Sequence, residues 1–132
     1  MKWMLDTSAC IAAMKGNSGV LEKLQSFSPH DLGVSMITVY ELWSGIELCK
    51  SPEKEVPKVE AFLLPLHVLP FDQRSARVAA RVRADLQRKG TPIGPYDVLI
   101  AGHALSLEVG LVSGNISEFQ RVTDLLVENW VC

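Results

Sequence analysis

Cysteine is scarce in this sequence, and what is present does not pair. Cys10, Cys49 and Cys132 make an odd number with no CxxC spacing. That argues against a disulfide framework and a structural zinc site, and points to a reducing cytoplasm. No apolar run reaches 18 residues, so no membrane-spanning segment is expected. Only Trp3-Met4-Leu5 precedes Asp6 at the amino terminus, too little for the apolar core of a signal peptide. Charge of one sign is also lacking: the net charge is −2 and the pI about 5.9. Any contact with nucleic acid must therefore use a local patch. The three histidines, His30, His67 and His103, are scattered and lack ligand spacing. The sequence has no GxxxxGK[ST] loop and no GxSxG elbow, which argues against nucleotide-driven phosphoryl transfer and an α/β-hydrolase. Repeats and low-complexity tracts are absent.

What remains is an ordinary globular composition. Of 132 residues, 48% are hydrophobic and 21% charged, enough for one domain that buries about two-thirds of its unfolded surface. Lys2 to Leu5 reads as a strand that ends at Asp6-Thr7-Ser8, residues that start helices. Helices are predicted over Ser8–Met14 and Gly19–Phe27, a strand over Leu32–Ser35, and a long helix over Met36–Cys49. A helix from Pro52 to about Leu64 and a short strand over His67–Leu69 follow. Asp72 introduces an amphipathic helix to Lys89. Val78, Ala79, Val82 and Leu86 form its apolar face, and Arg74, Arg77, Arg81 and Arg88 its basic one. After the loop Gly90–Gly94, Pro95 opens a helix to about Leu107. Strands are expected over Gly110–Ser113 and Leu125–Val127. Strands alternating with helices imply an α/β fold, a mainly parallel four- or five-stranded sheet flanked by helices.

Three acids sit apart from the solvated stretches. Asp6 follows the first strand, where ligand sites of open parallel sheets gather, although a helix cap alone would also place an Asp there. Glu41 shares a helical arc with Ile37, Thr38, Ser44, Gly45 and Leu48, distinct from the core arc of Val39, Leu42, Trp43 and Ile46. A half-exposed helix glutamate is the plainer reading of that position. Asp97 stacks on a wheel with Ile100, Ala101 and Ala104 in an apolar helix. Interaction with free amides and the helix dipole would account for an acid at the third helical position, but not for its apolar neighbours. A polar cluster, Ser113-Gly114-Asn115-Ile116-Ser117-Glu118, follows the fourth strand on the same side as Asp6.

If Asp6, Glu41, Asp97 and Glu118 converge, their charges repel unless a divalent cation is bound. An all-oxygen ligand set suits Mg²⁺ or Mn²⁺ rather than zinc. Such a site is equipped for phosphodiester hydrolysis. On its helix His103 lies far round from Asp97, a packed or surface residue rather than a ligand.

These residues, in this order, resemble the PIN-domain nucleases, and among them the VapC-type toxins of bacterial toxin–antitoxin pairs. The likeness rests on Leu5-Asp6-Thr7-Ser8, on Ile37 to Gly45 with Glu41 inside it, on Pro92-Ile93-Gly94-Pro95-Tyr96-Asp97, on Leu111 to Val122, and on Glu128-Asn129-Trp130. It covers residues 1–132 as one PIN-like domain. The resemblance implies that Asp6, Glu41 and Asp97 are metal ligands, with Glu118 as a fourth catalytic acid. It implies support from Thr7, Ser113 and Asn115. The implied activity is Mg²⁺- or Mn²⁺-dependent endoribonuclease action on tRNA or rRNA, repressed by a VapB-type antitoxin, in a homodimer. Two positions depart from the family pattern. Ser8 replaces a usual Asn, which is expected to weaken a hydrogen bond to a site carboxylate. Gly114 replaces a usual Asn or Asp, leaving the loop less polar and more flexible.

For RNA contact the sequence offers Arg74, Arg77, Arg81 and Arg88, with Lys89 beside them and Asp85 partly balancing the stripe. Few aromatics interleave with these charges, so base stacking is not signalled there. A non-catalytic PIN-like module that binds RNA or protein is the main rival, disfavoured by the presence of all three acids. A receiver-type phosphoacceptor domain fits poorly, because Asp6 has no acidic neighbour and no lysine follows Glu60 except Lys89.

Overall fold

Thirteen short elements alternate along the chain, described from Met1 to Cys132 by a computed structural model. Strand β1 (Trp3–Leu5) leads into α1 (Thr7–Met14) and α2 (Ser18–Ser26), and a single 3₁₀ turn, Pro29–Asp31, precedes β2 (Leu32–Ser35). Next come α3 (Met36–Glu47), α4 (Pro52–Leu63), β3 (His67–Leu69), α5 (Gln73–Arg88) and α6 (Pro95–Ser106). The chain closes with β4 (Gly110–Val112), α7 (Ile116–Phe119) and β5 (Val127–Glu128).

The five strands form one wholly parallel sheet in the order β3-β2-β1-β4-β5. Strand β1 is central, with Trp3 opposite Leu32 on one side and Gly110 on the other. Side chains alternate across it as strand geometry requires. Leu5 joins a core with Ala9, Val34, Leu42 and Val112, while Met4 joins another with Ile100, Ala101 and Leu111. Both faces are therefore covered, and the α/β expectation holds.

The order of the strands also locates the site. From β1 the chain builds outward through β2 and β3, then crosses back to place β4 on the other side of β1. The crevice between the carboxyl ends of β1 and β4 is the switch point where such sheets bind ligands. Asp6 and Ser113 are the next residues after these two strands, and Asp6 N–H still bonds the Val112 carbonyl at 2.9 Å.

Helices α5 and α6 form an antiparallel pair. Ser75 meets Ser106 at 3.2 Å, Gly102 lies against Ala79, and Leu86 shares a cavity wall with Pro95 and Val98. A Cβ on Gly102 would overlap the Ala79 backbone, so glycine sets how closely these helices approach.

Several boundaries differ from the sequence reading. The fifth strand begins at Val127, not Leu125, because Asp124 adopts φ +67 and the chain is still turning there. In α3 the fully buried residues are Thr38, Leu42 and Ile46, whereas Val39 and Trp43 are only partly covered. Thr38 was assigned to the other arc; it turns inward because Thr7 of α1 lies against it at 3.5 Å. Similarly Ser75 replaces Val78 on the buried face of α5, held by Asp72 and Ser106.

Candidate active site

Asp6 does two jobs at once. As the N-cap of α1 it accepts the Ala9 amide at 2.8 Å on Oδ1, so the capping reading is correct as far as it goes. Yet it is only 2% exposed, and two hydroxyls also address it: Ser8 donates to Oδ1 at 2.7 Å and Ser113 to Oδ2 at 2.5 Å. Burial raises its pKa, and the donors from Ser113, Ala9 and Ser8 offset part of that rise. A surface cap needs no such shell.

Ser8 keeps a link to the site: its hydroxyl donates to the Asp6 carboxylate and accepts the Gly114 amide at 2.9 Å. The same bond ties down the loop that glycine was expected to loosen. Ser113 is fully buried and also accepts the Asn115 amide at 2.8 Å. Asn115 itself is exposed and takes part through its backbone, as N-cap of α7, with no side-chain capping bond.

Glu41 reaches the same place from α3. Thr7 Oγ1 donates to its Oε1 at 2.7 Å. Asp97 arrives from the first turn of α6, where the N-cap is Gly94 and supplies no side chain. Its carboxyl is pushed up to about 7, first by burial, next by a hydrogen bond and charge repulsion from Glu118, then by the charges of Asp6 and Glu41. Every influence acts in one direction, and no basic group or backbone amide opposes them. The alternative that Asp97 merely satisfies free helix amides is therefore not realised. The four acids share one electrostatic field, although no three His, Cys, Asp or Glu side chains are arranged to hold a metal ion as they stand.

The histidines lie elsewhere. His103 is buried, its Nδ1 2.8 Å from Ser35 Oγ and its ring edge-on to Phe71. His30 and His67, scattered in sequence, come together with ring centres 5.8 Å apart, beside the starts of β2 and β3 rather than beside the acids.

The arginines of α5 do not form one patch. Arg74, Arg77 and Arg81 line a shallow groove with Gln73 and Val78, towards the end of α5 that packs beside Ser106. Asp97 stands at the opposite end of α6, so these three lie at the far end of the helix pair from it. Asp85 is engaged by Lys89 at 2.9 Å and does not neutralise the arginines.

Two features next to the acids were missed in the sequence. A groove of about 710 Å³ between α1, α3 and α4 has Glu41 at its margin, an apolar floor that includes Leu42, Ile46 and Val59, and Lys15, Lys50, Lys54 and Lys58 along it. These are four of the seven lysines in the chain, spread over 44 positions, so no local charge run announces them. The other feature is a pair of exposed rings, Tyr40 and Tyr96, each the chain neighbour of a site acid.

Comparison with known proteins agrees with the fold. The PIN domain family model matches residues 3–125. The tRNA(fMet)-specific endonuclease VapC of Salmonella typhimurium is 38% identical over 130 residues, 98% of each chain. Ribonuclease VapC2 of Haemophilus influenzae is 39% identical over 133 residues, 99% of each. Among solved structures, DNA-bound VapBC from Salmonella typhimurium superimposes with a TM-score of 0.94 at 39% identity, over 98% of each chain. VapBC2 from Rickettsia felis, bound to a DNA fragment from its promoter, gives 0.92 at 32% identity, over 98% of this chain and 99% of that one.

Proposed function

The chain belongs to the PIN domain family, and from that premise we propose that it is the endoribonuclease toxin of a type II toxin–antitoxin pair, acting in the cytoplasm. The observation that carries this reading is the state of Asp97. Its carboxyl is held near neutral pH by burial and three other acids, with no side-chain cation to relieve them. A site so short of positive charge is suited to a divalent ion. Its donors are all oxygens, the chemistry of Mg²⁺ or Mn²⁺ rather than zinc.

Asp6, Glu41 and Asp97 would hold the ion. When bound, it supplies charge for the phosphate and acidifies an attacking water. The protein's own part is positioning. Ser8, Ser113 and the Ala9 amide fix both oxygens of Asp6, and Thr7 aims Glu41. Glu118, next to Asp97, is the group to orient the water and accept its proton. With two relatives named as ribonuclease and tRNA endonuclease, tRNA is the first substrate class to test and rRNA the second. Arg74, Arg77, Arg81 and Arg88 would contact RNA phosphates away from the cut.

A VapB-type antitoxin is the partner this reading requires, and a homodimer the expected assembly. The groove beside Glu41, apolar below and bearing Lys15, Lys50 and Lys54 besides the Lys58–Glu55 ion pair, suits a partner segment that carries apolar and acidic side chains.

Purified protein, free of antitoxin, should be incubated with total tRNA and rRNA in Mg²⁺ or Mn²⁺ and in EDTA, beside Asp6→Ala. Discrete, metal-dependent fragments that vanish in the variant are expected. Intact RNA in every lane would overturn the nuclease reading in favour of a non-catalytic binding module.

A further inference from the structure

The chain has nine Trp, Tyr and Phe residues. Seven are wholly or partly covered: Trp3, Phe27 and Trp130 pack on one another, Phe71 packs on His103, Phe119 is fully buried, and Trp43 and Phe62 lie against the core. The two that stand exposed are the only tyrosines, Tyr40 at 53% and Tyr96 at 42%. Although 56 positions apart, they are neighbours in space. Their ring centres are 5.6 Å apart at 51°, and the Tyr96 hydroxyl approaches that of Tyr40 at 3.5 Å. Each precedes a site acid directly, Tyr40 before Glu41 and Tyr96 before Asp97. Leaving two large rings in water at one spot forgoes the burial that the other seven achieve.

We propose that Tyr40 and Tyr96 form a stacking platform for an unpaired nucleobase adjacent to the phosphodiester that is cut. This rests on the ribonuclease reading and names the two side chains that would hold the base beside the cut. The chemistry is complementary. An aromatic face accepts any base, and single-stranded RNA is recognised through bases splayed onto such faces. In a duplex the bases are stacked on each other and unavailable. Helices α3 and α6 each carry a ring and a site carboxylate on successive residues, which places the ring pair beside the acids rather than on a remote face. A chain whose phosphate meets the acids brings its neighbouring base to the rings.

The test compares wild type with the double variant Tyr40→Leu/Tyr96→Leu and with Tyr40→Phe/Tyr96→Phe. Affinity is measured for a fluorescein-labelled oligouridine of about 12 nucleotides in EDTA, where nothing is cut, and for a blunt RNA duplex of equal length. The Leu variant is expected to bind the single strand about 10- to 100-fold more weakly, with Phe restoring it and the duplex unaffected. Cleavage in Mg²⁺ should show the loss mainly in KM. Melting temperatures of all three proteins exclude a folding defect. If wild type cleaves RNA and the Leu variant binds and cleaves as well, the platform is refuted while the nuclease reading stands. If wild type binds through the tyrosines but never cleaves, the nuclease reading fails and base binding survives. If sedimentation shows that the Leu variant instead loses a dimer with RNA binding intact, the rings join two copies of the chain and the proposal is overturned.

Discussion

Thr7 Oγ1 donates to Glu41 Oε1 at 2.7 Å, linking residues 34 positions apart. The bond joins the first turn of α1, already held by Asp6, to the middle of α3, and so couples two of the proposed metal ligands. Thr7→Val keeps the shape and removes the donor. Stability should fall by about 1–2 kcal/mol, and cleavage by about tenfold as Glu41 loses its fixed direction. Thermal unfolding and kcat/KM, taken with a Mg²⁺ titration whose midpoint moves upward, check this.

Asp97 makes the metal-free protein sensitive to pH. Its carboxyl titrates at 3.8 in a free chain and at about 7 in the fold. Between those values the folded state keeps a proton that the unfolded state releases, so stability is highest at low pH and declines as pH rises through about 7. Asp97→Asn removes that slope: it should match wild type near pH 4, melt higher than wild type at about pH 8, and cut no RNA. His103, whose pKa is lowered by burial, tilts stability the other way below its ordinary value of 6.5. It is common to both proteins and cancels in the comparison. Added Mg²⁺ should raise the melting temperature of wild type at about pH 8 and scarcely that of the variant. Full cleavage by Asp97→Asn would refute the proposed metal site.

Ser113 is the hub between β4 and Asp6. Ser113→Ala strips a donor from a buried carboxylate and an acceptor from the Asn115 amide. A loss of about 1–3 kcal/mol is expected, with a melting point several degrees lower. A double-mutant cycle with Asp6→Asn should give a coupling of about 1 kcal/mol or more; strict additivity would show that the two side chains do not act together.

Gly102 tests the helix pair that carries Asp97. Gly102→Val places a branched side chain against the Ala79 backbone, and overpacking of that kind costs about 1–3 kcal/mol or more. The α5–α6 spacing should widen and Asp97 shift with it, so stability and cleavage fall together. Gly45, where an added Cβ meets nothing within 4 Å, is the control. Gly45→Ala should melt at or above wild type, since alanine is the better helix former by about 1 kcal/mol.

Much of this molecule could be read before it was folded. The order of strands and helices and the parallel sheet followed from local signals: strand runs of three or four residues, Asp6 and Asp72 as caps, Pro52 and Pro95 at helix starts. An acid in the apolar helix after Pro95 stood out because burial must be offset by something, and that argument needs no coordinates. Reading failed where one element's side chains depend on another's placement. Thr38 was assigned to the wrong face of α3, because its partner Thr7 belongs to α1. Nor could the sequence place the α5 arginines offered for RNA contact, because only the antiparallel packing of α5 on α6 puts Arg74, Arg77 and Arg81 at the end beside Ser106.

The sequence by itself determined the order of the elements and the sheet edge at which Asp6 and Ser113 lie, since both follow from periodicity, capping and strand order within short stretches of chain. Only the tertiary structure decided which side chains meet. Ser8 and Ser113 close on Asp6 from opposite ends of the chain, Thr7 reaches Glu41, and Tyr40 finds Tyr96. Each of these pairings is set by helix crossing and strand register, distances of a few ångströms between elements that the linear order of residues does not encode.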